Sequence, residues 1–152
     1  MKVRTYLVDD NPIIRGNLIS TLEELGSVET VGVANNQEEG AAWLTQNGRH
    51  WDLAIVDLFL KSGSGLGVMN ACRGRSTLQK MVLFSDYATR EMRCRCAELG
   101  VDAVFDNSTE IDELVAYCVC QSQILTSAAH RATGHEVPPK ISFLIPPNGE
   151  EK

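Results

Sequence analysis

The chain has 152 residues, with 14 Lys and Arg against 20 Asp and Glu, for a formal charge of −6; that length fits one domain plus a short extension. The acidic balance argues against a nucleic-acid module, which needs a basic surface to displace phosphate counterions, and against attachment to an anionic membrane. Apolar residues reach 43%, enough for an ordinary core and too many for a disordered chain, while no run of about 18 apolar residues marks a membrane span. The first ten residues lack the apolar core of a signal peptide, so a cytoplasmic location is expected.

Short apolar runs alternate with amphipathic stretches. Val3 to Val8 reads as a strand that ends in Asp9-Asp10. Asn11-Pro12 supplies an N-cap followed by proline at the first helical position, Ile14, Leu18, Leu22 and Leu25 recur at helical spacing, and Gly26 stops the helix. A second strand is expected over Val28 to Ala34 and a second helix over Gln37 to Gln46, closed by Asn47-Gly48. Leu53 to Val56 is almost continuously apolar, as a central strand covered on both faces must be, and it ends at Asp57. A glycine-rich loop, Lys61 to Gly67, leads into a short helix around Val68 to Cys72. Met81 to Phe84 is the fourth strand, ending at Ser85, and Thr89 to Leu99 the fourth helix, closed by Gly100. Ala103 to Phe105 is the fifth strand; Ser108 or Thr109 then caps a last helix whose inward face is Ile111, Leu114, Val115, Cys118 and Leu125. Strict alternation predicts an α/β fold with a doubly wound, five-stranded parallel sheet and helices on both faces. The strand order does not follow from the pattern alone.

A domain over residues 1–125 is therefore expected, followed by a Pro-containing C-terminal tail over 126–152 that holds Pro138-Pro139 and Pro146-Pro147 around the apolar stretch 141–145. Five cysteines do not suggest a disulfide framework. Cys94/Cys96 and Cys118/Cys120 tempt a zinc reading, but residues two apart on a helix point roughly 200° apart. Buried or half-buried thiols are expected instead. His50, His130 and His135 show no metal-ligand pattern. Gly63-Ser64-Gly65-Leu66-Gly67 lacks the lysine of a P-loop and the spacing of a dinucleotide fingerprint, so it reads as a loop that needs small residues. Arg90, Arg93 and Arg95 form a basic cluster whose plain reading is a solvated face, with a partner contact as the alternative.

Ligands of a parallel α/β sheet sit beyond the carboxyl ends of its strands. Asp9, Asp10 and Asp57 fall there, with Ser85 and the run Phe105-Asp106-Asn107 at the ends of strands four and five. Two unit charges about 4 Å apart repel by roughly 4 kcal/mol at an effective dielectric of about 20, a cost that a hard divalent cation removes. Magnesium favours such oxygen ligands and shares its shell with phosphate oxygens. A metal held by acids beside one reactive carboxylate suits phosphoryl transfer onto that carboxylate, and Asp57, alone at the end of the central strand, is the natural nucleophile.

Val8-Asp9-Asp10, the Asp57 to Gly65 segment, Phe84-Ser85 and Phe105-Asp106-Asn107-Ser108 resemble the receiver domain of bacterial two-component response regulators, in its single-domain, chemotaxis-receiver-like form. The resemblance covers roughly residues 3–125. It implies the flavodoxin-like strand order 2-1-3-4-5. It implies Asp57 as phosphoacceptor, Mg2+ held by Asp9, Asp10, Asp57 and the backbone carbonyl of Phe59, Ser85 as switch hydroxyl and Phe105 as switch aromatic. It further implies a histidine kinase or histidine phosphotransfer protein as phosphodonor. Output would go to a protein partner, or to a second copy through the face of helix four, strand five and helix five. The implied role is a switch with at most slow self-dephosphorylation, not an enzyme. One departure is Asn107, where the family has lysine: a neutral amide replaces a full positive charge. Lys61 stands where the family usually has proline. A degenerate receiver acting as a phosphorylation-independent binding scaffold is the alternative that Asn107 supports. Phe59, two residues after Asp57, is expected to hinder an attacking water.

Overall fold

In chain order the elements are β1 (Val3–Val8), α1 (Pro12–Leu25), β2 (Val28–Ala34), α2 (Gln37–Gln46), β3 (Leu53–Val56), α3 (Gly65–Ala71), β4 (Lys80–Ser85), α4 (Arg90–Glu98), β5 (Ala103–Asp106) and α5 (Ile111–Ala132). They come from a computed structural model that describes residues 1–132. The five strands form one sheet in the order β2-β1-β3-β4-β5, every pairing parallel. This is the doubly wound, flavodoxin-like order implied above.

Strand alternation divides the core into two layers. Ala54 and Val56 of β3, with Met81 and Leu83 of β4, pack on the side of α2, α3 and α4, against Leu44, Val68, Met69 and Cys96. Leu53, Ile55, Val82 and Phe84 point to the other side and meet Leu18 and Leu22 of α1 and Leu114, Cys118 and Leu125 of α5. Leu53 to Val56 is buried at every position, which explains why its sequence does not alternate.

Local signals set most element ends. The Asn11 side chain accepts from the N–H groups of Ile13 and Ile14, and Pro12 opens α1. Of the four residues spaced along α1, Leu18 and Leu22 in its middle are buried, whereas Ile14 in its first turn and Leu25 at its last position are exposed. Ser64 caps α3 by accepting from Leu66 N–H, so that helix starts at Gly65, three residues before the expected Val68. At α5 neither expected cap is used. Ser108 Oγ donates to Asp106 at 2.6 Å, and the Glu110 carbonyl receives the Leu114 N–H at 3.1 Å.

α5 continues to Ala132, so the expected boundary at residue 125 falls inside a helix. Residues 126–132 contain no glycine or proline to end it. The proline pairs, the stretch 141–145 and His135 lie outside the described residues. The thiols also differ from expectation. Cys96 and Cys118 are buried while Cys94 and Cys120 are exposed, the outcome of a two-residue step around a helix. Burial pushes the Cys118 thiol up to about 12.

Candidate functional site

Parallel pairing brings the ends of β1, β3 and β4 to one edge. Val8 is in register with Val56 and Val56 with Leu83, so Asp9, Asp57 and Ser85 leave the sheet close together. Asp9, Asp10 and Asp57 each offer a carboxylate oxygen, and these oxygens lie within 4.8 Å of one another. Asp9 is only 6% exposed. Its carboxylate accepts the Asn11 N–H at 2.9 Å. That of Asp10 accepts the Lys61 N–H at 2.5 Å.

Burial raises the Asp57 carboxyl to about 6; the negative charges of Asp9 and Asp10 add to the rise, and the Leu58 N–H and Ser85 hydroxyl oppose it. Asp9 is raised as well, mainly by burial. Among the described residues Arg15 opposes the rise at Asp9 but is the smallest of its causes, and no basic side chain opposes that at Asp57; hard oxygen donors crowded this way suit a hard divalent cation. The residues fit magnesium on chemistry as well as on spacing.

Ser85 is fully buried; its hydroxyl donates to Asp57 and accepts the Tyr87 N–H at 3.2 Å. The loop after β3 folds back tightly: Gly65 N–H donates to Leu58 carbonyl at 2.9 Å, and Phe59 bridges to Ser64. A side chain at Gly65 would put its Cβ 2.2 Å from the Asp57 carbonyl oxygen, so the turn admits only glycine. The Phe59 ring is 60% exposed and stands edge-on to Tyr87, itself 50% exposed, with centroids 5.4 Å apart. Two aromatic side chains thus link the loops after β3 and β4. Tyr87 was not singled out in the sequence, because its partner lies 28 residues away.

The other site residues stand as follows. Asn107 donates its N–H to the Ser85 carbonyl at 3.1 Å and lines a groove of about 270 Å³ with Ile14, Leu18 and Ile111. Lys61 reaches Asp10 with its backbone N–H, and its side chain is exposed. Phe105 packs on the α1/α5 side, edge-on to Tyr117 at 5.7 Å. Ser85 follows Leu83 in the row facing α2–α4, so the structure does not bring Phe105 to Ser85; Val104 and Asp106 are the β5 residues on that side, and Asp106 is in register with Ser85.

Arg93 departs from the solvated-face reading of the basic cluster. Its guanidinium donates to the carbonyls of Ala88 (3.2 Å) and Val104 (2.9 Å) and to Glu110 Oε1 (2.6 Å). It ties the loop behind Ser85 to β5 and to the start of α5. Arg90 and Arg95 are exposed.

Residues 5–118 match the family model for the response regulator receiver domain. The chain is 29% identical over 111 residues to the acid tolerance regulatory protein ActR of Rhizobium meliloti (strain 1021), a stretch that is 72% of this chain and 55% of ActR. ActR of Sinorhizobium medicae (strain WSM419) matches over the same shares. The chain thus spans about half the length of the curated relatives it matches. The fold is shared with the signal receiver domain of the putative response regulator NarL from Mycobacterium tuberculosis (TM-score 0.69, 23% identity, 80% of this chain and 97% of that one). It is also shared with the Francisella response regulator 1452 receiver domain (TM-score 0.70, 18% identity, 82% and 99%). Among the described residues no helix is long and apolar enough to cross a membrane. The family match runs from β1 into α5 and so takes in the sheet, the acid cluster and Ser85; this chain belongs to the response regulator receiver domain family.

Proposed function

We propose that this chain is a phosphoacceptor switch of a two-component phosphorelay, loaded on Asp57 by a histidine kinase or histidine phosphotransfer protein and read out by protein–protein contact in the cytoplasm. The observation that supports it most is the meeting of three carboxylate oxygens within 4.8 Å, with a buried hydroxyl bonded to the acid at the end of the central strand. Asp9, Asp10, Asp57 and the Phe59 carbonyl are the groups that would hold Mg2+, with Asp10 a direct ligand. Magnesium bound there would neutralise the phosphoryl oxygens and the acids that face them.

Titrating near 6, Asp57 is ionised at neutral pH and can act as nucleophile. One of its oxygens forms a bond to phosphorus as the P–N bond of the donor breaks, and the imidazole leaves with the electron pair. Asp9 and Asp10, held by backbone N–H groups, keep their positions through the transfer. Ser85, already donating to Asp57, is the hydroxyl that turns to the new phosphoryl oxygens. Its motion pulls the loop 86–88, which Arg93 ties to β5 and α5. Phe105 packs edge-on to Tyr117 on the α1/α5 side, away from Ser85, and takes no part in this movement. The output surface is the α4–β5–α5 face, for a protein partner or a second copy. Phe59 and Tyr87 restrict water at the mouth, so self-dephosphorylation is slow.

Asn107 favours one other reading, a receiver that binds partners without being phosphorylated, since its amide supplies no positive charge to a phosphoryl group. Incubation with acetyl phosphate and Mg2+, followed by intact-mass measurement, separates the two. Addition of one phosphoryl group that Asp57→Ala abolishes supports the switch; an unlabelled protein establishes the scaffold.

A further inference from the structure

Three glycines in five residues, at Gly63, Gly65 and Gly67, need a physical reason. Gly65 has one in the Asp57 carbonyl. The other two share a different neighbour. A Cβ at Gly63 would fall 2.4 Å from the Gln37 side chain and one at Gly67 2.2 Å from it, so the loop leaves room for one amide between two missing side chains. Gly63 also has φ +86°, which glycine adopts without strain.

Gln37, the first residue of α2, is bound as well as enclosed. Its Oε1 accepts the Ser64 N–H at 2.9 Å, and its own N–H donates to the Ser62 carbonyl at 3.1 Å. Ser64 is the residue that bridges to Phe59. The loop is therefore fastened at both sides: Lys61 N–H to Asp10 on the side of the acids, and Ser62 and Ser64 to Gln37 on the side of α2.

From this enclosure we infer that Gln37 is a positioning residue for magnesium: by holding the β3–α3 loop it fixes the Phe59 carbonyl and the Lys61 N–H against the acids, and so sets the affinity of the site. The inference rests on the reading of the acid cluster as a magnesium site. A ligand carbonyl on a tethered loop needs no ordering when the ion arrives, whereas an untethered loop is ordered at the expense of binding. Groups that orient metal ligands typically change affinity 10- to 100-fold when removed. Because Gln37 acts on one ligand, the lower end is expected.

The test is calorimetric titration of the full chain with Mg2+ alone. Gln37→Ala weakens binding about tenfold. Gly67→Ala does the same from the loop side, since its methyl displaces the amide, and the double variant is no weaker than either single one. Gln37→Glu keeps an oxygen for the Ser64 N–H and recovers most of the affinity. Urea denaturation of the metal-free proteins checks that each is folded; a residue with only a structural role would lower that stability and leave the magnesium affinity unchanged. Wild-type affinity in a folded Gln37→Ala or Gly67→Ala overturns this inference alone. A wild-type chain that binds no magnesium overturns the magnesium reading and this inference with it.

Discussion

Replacing Asp57 by asparagine should make the metal-free protein more stable, although it removes the residue on which the function depends. The side chain keeps its shape and its capacity to accept from Leu58 N–H and Ser85, and loses only its charge. The folded-state carboxyl stands at about 6 against an ordinary 3.8. Between those values the folded protein holds a proton that the unfolded chain has released. The stability that protonated Asp57 contributes is thus complete below pH 3.8 and lost as the pH rises through about 6. The step corresponds to about 3 kcal/mol at 1.36 kcal/mol per pH unit, and solvent at the mouth of a half-buried site reduces it to about 1–2 kcal/mol. In chelator at pH 8, Asp57→Asn should therefore exceed the wild type by about 1–2 kcal/mol, and at pH 5 by about half as much. Urea denaturation followed by the fluorescence of Trp43 and Trp51 measures both. Magnesium at ten times its dissociation constant adds about 1.4 kcal/mol to the wild type and little to the variant. Equal stabilities at pH 8, or a gap that does not change between pH 8 and pH 5, would refute the claim that crowded, buried negative charge is what the metal relieves.

The remaining predictions concern the phosphorylated protein and the output face. Phe59→Asn opens the mouth and should shorten the lifetime of the phosphorylated protein, followed by loss of label after the donor is removed; a longer lifetime in the variant contradicts the shielding role. Asn107→Lys places a cation at the end of β5 and should change both that lifetime and partner binding, and an effect on neither would show that the position is silent. Arg93→Ala removes two bonds to backbone carbonyls and should cost about 1–2 kcal/mol in urea unfolding, while hydrogen exchange quickens around Ala88 and Val104. Unaltered exchange there would mean that Arg93 does not tie the loop to β5.

The pattern of apolar runs and the breaks between them is local information, and it determined much of this molecule. The ends of β2, α2 and β3 follow from it to the residue, because each is marked by a cap, a glycine or a charged residue next to the core. The acids at the strand ends were legible for the same reason: a parallel sheet sends all its carboxyl ends to one edge, so position along the chain implies position in space. What needed tertiary structure were relations between distant residues. Phe59 and Tyr87 meet only once β3 and β4 are paired, and Arg93 finds Val104 and Glu110 only once α4 lies over β5. The side of the sheet that Phe105 faces depends on register, which a one-residue step reverses. Gln37 looks like any polar residue at the start of a helix, and its neighbours Gly63 and Gly67 lie more than twenty residues on. No periodicity records such a contact, since it arises from two segments packing rather than from either one alone.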